Sequence, residues 1–162
     1  MNKGRRILPF ALWTACALWT LFIFANSLQT GNESGQMSGN VTQFINDVLH
    51  TVSPKLSVGH LFVRKTAHFC EFALLALFFC FAFWSTLVPN VSARVPFERI
   101  CCVLLALPCA ISVAAIDETI QLFVDGRVGS VVDVLIDSSG ATCATLIFFL
   151  TVALLNRKKN EE

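Results

Sequence analysis

The chain has 162 residues, which is the size of one domain. Hydrophobic residues make up 55% and charged residues 14% of it, whereas soluble domains average about 25% charged residues. This composition excludes a water-exposed globular surface and a disordered chain, and the formal net charge of +1 argues against a nucleic-acid partner. We therefore expect an integral membrane protein with a single domain over residues 1–162.

Four apolar stretches are long enough to cross a bilayer, which takes about 20 residues in a helix. They lie at about 7–27, 58–88, 100–124 and 131–155. The first follows a cationic N-terminus, but its apolar run exceeds the roughly 7–15 residues of a signal-peptide core, so we expect a retained span. Backbone groups in lipid must be hydrogen-bonded within the protein. The expected fold is therefore all-α, an integral membrane four-helix bundle.

The lysines and arginines predict the direction of insertion. Four spans place both termini and the central loop on one side, which then carries eight of the twelve cations: Lys3, Arg5, Arg6, Arg94, Arg99, Arg157, Lys158 and Lys159. Cytoplasmic loops are enriched in these residues. Both termini are therefore expected in the cytoplasm, with the loop from Leu28 to Lys55 outside.

The outer loop has two parts. Residues 31–40 are rich in glycine, asparagine and serine, which predicts a flexible start. From Val41 to Val52 apolar residues recur at helical spacing, with Asn40 and Gln43 as a capping pair and Pro54 as the end. This pattern predicts a short amphipathic helix, either lying on the outer membrane interface or packed against the bundle.

The seven cysteines all lie in apolar runs, and no Cys-x-x-Cys pair occurs. Neither a disulfide framework nor a cysteine metal site is expected. The cysteines are interpreted as small buried hydrophobic residues.

Charged residues interrupt the second span near its outer end. Each costs roughly 2.5–3.5 kcal/mol at the centre of a span, so it needs a partner or a cavity. His60, Arg64, His68 and Glu71 follow one another at spacings of four, four and three, which places them on one stripe of a helix, with Lys65 beside it.

The third span carries its charges at its outer end. Asp117 and Gln121 are four residues apart and share a helix face, and Glu118 lies about 100° around the helix. Asp125 and Arg127 follow in a turn. Because seventeen uncharged residues precede this group, it lies at the level of the stripe on the second span.

The fourth span begins on the same side. Ser130 is placed to cap its helix, with Asp133 in the first turn and Asp137 one turn deeper. Gly140 and Ala144 continue that face as a small-xxx-small pattern, which allows close approach of a neighbouring helix. Polar groups from three spans are therefore expected at one level of the membrane, with Arg64 and Arg127 as the natural partners of the carboxylates.

These segments, in this order, resemble the VanZ-like family of bacterial membrane proteins. The matching residues are Arg64-Lys65-x-x-His68-Phe69-x-Glu71, Asp117-Glu118-x-x-Gln121-x-Phe123, Arg127, Asp133 and Gly140. Two positions depart from the family: Phe72 replaces the usual tyrosine and Asp137 the usual asparagine. The resemblance implies the bacterial cytoplasmic membrane as location. It also implies a link to resistance against the glycopeptide teicoplanin, since the member that names the family is associated with it.

The leading functional hypothesis is an outer-face site for a membrane lipid, a lipid-linked envelope precursor or a glycopeptide. Candidate proton-transfer groups are His68, Glu71, Asp117 and Glu118. Candidate ligand-binding residues are His60, Arg64, Lys65, Gln121, Arg127, Asp133 and Asp137, with the cations suited to phosphate.

Two alternatives remain open from the residues alone. His68, Glu71, Asp117 and Glu118 suit a divalent metal, but their spacing matches no metal motif, so the leading hypothesis includes no metal or other cofactor. The cluster also suits a structural or partner-binding protein in which it only clasps the helices. Whether the protein is an enzyme, and its oligomeric state, do not follow from the sequence.

Overall fold

The computed structural model describes residues 4–88 and 95–161, and these form five α-helices. The helices are α1 (Gly4–Ser27), α2 (Gly31–Val52), α3 (His60–Leu87), α4 (Val95–Gln121) and α5 (Val131–Glu161). Four of them, α1, α3, α4 and α5, are long and apolar enough to cross a membrane. The all-α membrane bundle expected from the sequence is confirmed. Lys3 and Arg94, which contributed to the predicted orientation, lie outside the described residues.

The α4 helix ends earlier and α5 ends later than the hydropathy pattern predicts. After Gln121 the backbone hydrogen bonds join residues three apart instead of four. The N–H groups of Leu122 and Phe123 donate to the carbonyls of Thr119 and Ile120 at 3.2 and 3.0 Å. The chain then turns at Gly126, where φ is +71°. The apolar residues 122–124 therefore belong to the turn, whereas α5 continues past residue 155 into the charged tail.

The α2 helix is the main departure from the sequence-based expectation, because it starts at Gly31 and its 22 residues are not short. A capping box forms its start: the Thr30 hydroxyl accepts from the Glu33 N–H at 3.3 Å, and the Glu33 carboxylate accepts from the Thr30 N–H at 3.0 Å. The predicted start at Asn40 was wrong. The glycines of residues 31–39 have low helix propensity, but the cap and packing against α3 outweigh that cost.

The α2 helix is amphipathic and also packs on the bundle. Its exposed apolar residues recur at spacings of three and four: Met37, Val41, Phe44, Val48 and Val52. On another face Thr42 is buried, and the Asn46 amide bonds both the N–H and the carbonyl of Val58, at 2.7 and 3.1 Å. These two bonds hold α2 against the segment that enters α3.

The α3 helix is the centre of the bundle and packs most extensively on α5, then on α4 and α1. Small residues make these contacts close. A Cβ atom added to Gly140 would lie 2.2 Å from the carbonyl oxygen of Phe69, so α5 touches the α3 backbone there. Four small residues at four-residue spacing are fully buried along α4: Cys102, Ala106, Ala110 and Ala114. Such stripes allow close helix packing in membranes.

Two tryptophans fix α1 against α3. The Trp13 indole donates to the Thr86 hydroxyl at 3.2 Å, and the Trp19 indole donates to the Glu71 carbonyl at 3.0 Å. These bonds set the height of α1, so that its last residue, Ser27, is buried near the polar end of α3.

The cysteines form no disulfide in the described part of the chain. Cys16, Cys80 and Cys102 are buried, as expected, but Cys70 and Cys143 are exposed on the outside of the bundle. The interpretation of all seven cysteines as buried residues was therefore wrong for Cys70 and Cys143. Both lie in apolar segments of the sequence, but on the exposed side of their helices.

Candidate functional site

The C-termini of α1 and α4 and the N-termini of α3 and α5 meet at one end of the bundle, which we call the site end. Five polar residues are almost fully buried there: Ser27, Asp117, Glu118, Gln121 and Asp137. The structure thus brings together the charged positions of three spans, and α1 adds a fourth element.

The two α4 carboxylates lie in a hydrogen-bonded network. Asp117 accepts from the Ser27 hydroxyl at 2.6 Å and from the Gln121 amide at 3.1 Å. The same amide lies 3.0 Å from Glu118, whose other oxygen accepts from the Ser130 N–H at 2.8 Å. Each carboxylate oxygen therefore has a donor, which is the usual condition for burying such a group.

The carboxylate of Asp137 on α5 differs from the two on α4 in its hydrogen bonding. Asp137 is fully buried, and neither of its side-chain oxygens has a hydrogen-bond partner among the described residues. The nearest cationic or imidazole nitrogen is His68 Nδ1 at 3.8 Å, and that nitrogen is also without a partner. One turn earlier, Asp133 forms an ion pair with Lys65 at 2.9 Å, and both side chains are partly exposed.

A cavity of about 190 Å³ opens between α3, α5 and the α4–α5 turn, and we call it the α5 cavity. The charged residues and the histidine that line it are Arg64, Lys65, His68, Glu118, Arg127, Asp133 and Asp137. Its apolar lining includes Leu61, Val128 and Ile136. Seven predicted site residues therefore face one space, with three cations opposite three carboxylates.

A second cavity, of about 100 Å³, lies between α1, α2 and α3, and we call it the α2 cavity. Glu71 lines it together with Asn26 and Ser34. Arg64, His68 and Arg127 line both cavities. These three side chains therefore form the wall between the two spaces.

The two arginines do not pair directly with the carboxylates, contrary to the sequence-based expectation. Among the described residues, neither Arg64 nor Arg127 forms an ion pair within 4.0 Å. Arg127 donates to the Ser34 hydroxyl, and its Nε is buried without a partner. Burial and then the charge of Arg64 lower the pKa of Arg127. Both guanidinium groups line the same two cavities, and the carboxylates of Asp117, Glu118 and Glu71 act on Arg127 from beyond ion-pair distance.

The close contact of two glycines places Arg127 beside α2. The Gly31 N–H donates to the Asp125 carbonyl at 2.9 Å, and a Cβ atom on Gly31 would lie 1.9 Å from the Gly126 carbonyl oxygen. Only glycine at position 31 allows this approach, and Gly126 has a positive φ. The start of α2 and the α4–α5 turn are therefore held together, next to the Arg127–Ser34 bond.

The set of site residues predicted from the sequence lacked Ser27 and Ser34, and it included His60, which lies apart from the others. Ser27 and Ser34 bond the key side chains Asp117 and Arg127, but nothing in their local pattern distinguishes them from span-end or loop serines. The Thr30-x-x-Glu33 capping signature was visible and would have placed Ser34 on a helix. His60 lines neither cavity, and its ring lies 3.3 Å from the Gly35 carbonyl oxygen.

One group of side chains has the arrangement of metal ligands. His68, Asp117, Glu118 and Asp137 each offer one donor atom, and the four atoms lie within 4.8 Å of one another. The set considered from the sequence contained Glu71 in place of Asp137. Glu71 instead faces the α2 cavity.

The family assignment agrees with this architecture. The family model of VanZ/LLP1 matches residues 11–153, which include most or all of each of the four candidate spans and every charged residue of both cavities. Comparisons with curated proteins and with solved structures found no match. The match covers most of the chain, and the protein is a member of the VanZ-like family, with several apolar helices that span a membrane.

Proposed function

We propose that the site end binds the phosphate-bearing headgroup of an envelope lipid or lipid-linked precursor at the outer face of the bacterial cytoplasmic membrane. The observation that carries this proposal is the pair Arg64 and Arg127. Both line both cavities. Among the described residues, neither forms an ion pair within 4.0 Å, and the buried Arg127 Nε has no hydrogen-bond acceptor. A phosphate offers guanidinium groups charge and bidentate hydrogen bonds at once.

The surroundings of the α5 cavity favour a lipid over a soluble phosphate. Leu61 and Val128 line the cavity and are 68% and 79% exposed. Leu135 and Val131 on α5 add exposed apolar surface nearby in the chain. An amphiphile can place its headgroup on the cations while its tail lies along these side chains in the bilayer.

The size of the α5 cavity favours a headgroup over a whole antibiotic. Pockets that enclose drug-sized ligands measure about 300–1,000 Å³, whereas this one measures about 190 Å³. We therefore propose that any effect on teicoplanin sensitivity acts through an envelope lipid. Expression in a sensitive bacterium is expected to reduce teicoplanin sensitivity, and Arg127→Ala is expected to remove that effect.

The orientation is tested by labelling with a membrane-impermeant thiol reagent. In a background without the native cysteines, Gln36→Cys on exposed α2 should react in intact cells, and Asn160→Cys should react only after lysis. Gln36 is preferable to Ser34, whose substitution would break the Arg127 bond. The reverse labelling pattern would place the site in the cytoplasm and contradict an outer-face function.

Binding is tested with the purified protein in detergent by native mass spectrometry. A polyprenyl phosphate and a phosphatidic acid should bind, and phosphatidylcholine and inorganic phosphate should bind much more weakly. Arg64→Gln and Arg127→Gln should each weaken binding about tenfold or more, since a hydrogen bond to a charged group contributes roughly 1.5–3 kcal/mol.

The matched control is Lys55→Gln, which removes an exposed cation from the segment between α2 and α3, outside the lining of both cavities. It should leave binding unchanged. Equal loss in Lys55→Gln and Arg127→Gln would indicate general charge attraction. Preference for inorganic phosphate over the lipids would contradict the lipid assignment.

A structural clasp is the second candidate function, and the α4 network favours it. Every carboxylate oxygen of Asp117 and Glu118 accepts a hydrogen bond from the Gln121 amide, the Ser27 hydroxyl or the Ser130 backbone, as expected of groups that hold helices together. If alanine substitutions of the arginines reduce folded protein as strongly as those of Asp117, the clasp explains the whole cluster. Well-folded arginine variants that lose lipid would support the binding site.

A further inference from the structure

The donor set beside the α5 cavity combines one imidazole with three carboxylates. His68 comes from α3, Asp117 and Glu118 from α4, and Asp137 from α5. Their four donor atoms lie within 4.8 Å of one another. Metal–nitrogen and metal–oxygen bonds of roughly 2.0–2.2 Å place donors about 3.3–3.6 Å apart in a tetrahedral site and opposite donors about 4.0–4.4 Å apart in an octahedral one. A small inward shift therefore brings all four atoms to one ion.

Asp137 independently indicates that a ligand belongs at this point. Its side chain is fully buried, and one of its oxygens belongs to the four-atom group. Within residues 4–88 and 95–161, neither oxygen has a hydrogen-bond partner. The facing His68 Nδ1 is also buried without a partner. A polar clasp accounts for Asp117 and Glu118 but leaves Asp137 and His68 unsatisfied, and that is costly in a low-dielectric interior.

The hydrogen bonds of the α4 carboxylates suit metal ligation. Ser27 and Gln121 hold Asp117, and Gln121 and the Ser130 N–H hold Glu118. Ligating carboxylates are commonly oriented by such outer partners. Each oxygen also keeps a second lone pair for an ion.

We infer that His68, Asp117, Glu118 and Asp137 bind one divalent transition-metal ion, of the Zn²⁺ or Mn²⁺ class, at the inner wall of the α5 cavity. One imidazole with three carboxylates suits these ions better than Ca²⁺, which takes six to eight oxygens, or Mg²⁺, which retains its water. The ion also balances charge. The three cations that line the cavity face three lining carboxylates and the carboxylate of Asp117, a formal sum of −1, which one divalent ion would change to +1.

The test measures metal on the purified full chain, without any lipid. Chelator-treated protein is reloaded with Zn²⁺ or Mn²⁺, desalted and analysed by inductively coupled plasma mass spectrometry, and its thermal unfolding is followed. We expect about one ion per chain and a higher unfolding temperature, because a ligand of the native state stabilises it. Asp137→Asn and His68→Gln should each lose most of the ion and most of the thermal shift.

The matched control is Asp133→Asn on the same helix. Asp133 lies one turn from Asp137, lines the same cavity and pairs with Lys65, but is not one of the four donors. This variant should retain the ion and the thermal shift. Gln121→Leu, which removes an outer partner, should weaken metal affinity by about 10–100-fold.

Two results would overturn the inference: wild-type protein that binds neither Zn²⁺ nor Mn²⁺ with a thermal shift, or equal metal loss in Asp133→Asn and Asp137→Asn. His68→Gln provides a second donor variant if Asp137→Asn does not fold. The arginine variants test the lipid separately: loss of lipid with metal retained supports both assignments, and loss of metal binding alone leaves the phosphate site unaffected.

Discussion

The buried carboxylates of α4 and of α5 are equally hidden but differ in their partners. Asp117 and Glu118 accept hydrogen bonds at every oxygen from serine, glutamine and backbone donors. Asp137, on the neighbouring helix, accepts none from the described part of the chain and faces a His68 nitrogen that has no partner there either. Hydrogen bonds from the fold thus stabilise the α4 carboxylates, whereas the fold buries Asp137 without providing it with such bonds.

This difference separates a structural role from a binding role within one cluster. Burial alone does not distinguish the two, since a buried acid is costly in either case. The presence or absence of hydrogen-bond donors from the protein distinguishes a structural acid from one that binds a ligand. The α4 carboxylates can both clasp helices and orient a ligand, whereas Asp137 has a reason to be acidic only if something else binds there.

The largest expected effect compares Asp117→Ala with Asp137→Ala in the presence of a chelator. Both remove the same atoms, but Asp117→Ala leaves the Ser27 hydroxyl and part of the Gln121 amide without an acceptor. We expect its free energy of unfolding in mixed micelles to fall by about 2–3 kcal/mol more than that of Asp137→Ala, since unsatisfied buried groups cost roughly 1–3 kcal/mol each. Equal losses would show that the hydrogen bonds do not distinguish the two acids.

Gly140→Ala tests how Asp137 is placed. The new Cβ would meet the Phe69 carbonyl at 2.2 Å and push α5 away from α3 beside His68. We expect a loss of about 1–3 kcal/mol in the free energy of unfolding, as for other overpacked sites. Unchanged stability would contradict the close α3–α5 contact.

The control for that change is Gly39→Ala on α2, where no atom lies within 4 Å of the added Cβ. There alanine should stabilise the helix by up to about 1 kcal/mol, because it restricts the unfolded chain more than glycine does.

A double-mutant cycle on Arg127 and Glu118 tests whether the cation wall and the α4 network act as one site. Arg127→Ala and Glu118→Gln should each abolish lipid binding. Their effects on thermal unfolding should be non-additive by roughly 0.5–3 kcal/mol, because both side chains line the α5 cavity. The Arg127→Ala protein should still insert, since its expected outer position does not contribute to the cytoplasmic charge bias. Additivity in both measurements would mean two independent sites.

The smallest expected effect is that of Ser34→Ala, which removes the hydrogen bond from α2 to Arg127. We expect a loss of about 1 kcal/mol in the free energy of unfolding, together with weaker lipid binding. Ser38→Ala on the same helix is the control, because that hydroxyl donates only to the carbonyl of Ser34 in its own helix. Similar changes in both variants would show that Arg127 does not depend on α2.

Much of the fold and of the candidate site follows from local patterns. Span length and helical spacing predicted the ends of α1, α3, α4 and α5 to within six residues. The same spacing put Arg64 and His68 on one face of α3, and Asp117 and Gln121 on one face of α4. The start of α2 was missed because glycine-rich composition outweighed a visible capping box, and the packing that stabilises it is not local.

What the sequence by itself determined is the set of spans and the level at which the charged residues lie, because hydropathy and a rise of 1.5 Å per residue are properties of single helices. Only the tertiary structure decided which charges meet. It paired Lys65 with Asp133, turned Glu71 into the α2 cavity and placed Asp137 against His68. It also left both arginines without an ion pair to any described carboxylate. The physical reason is that the rotation of each helix about its axis is set by close backbone contacts, such as Gly140 on Phe69 and Gly31 on Gly126. Those contacts join residues distant in the chain, and no local pattern encodes them.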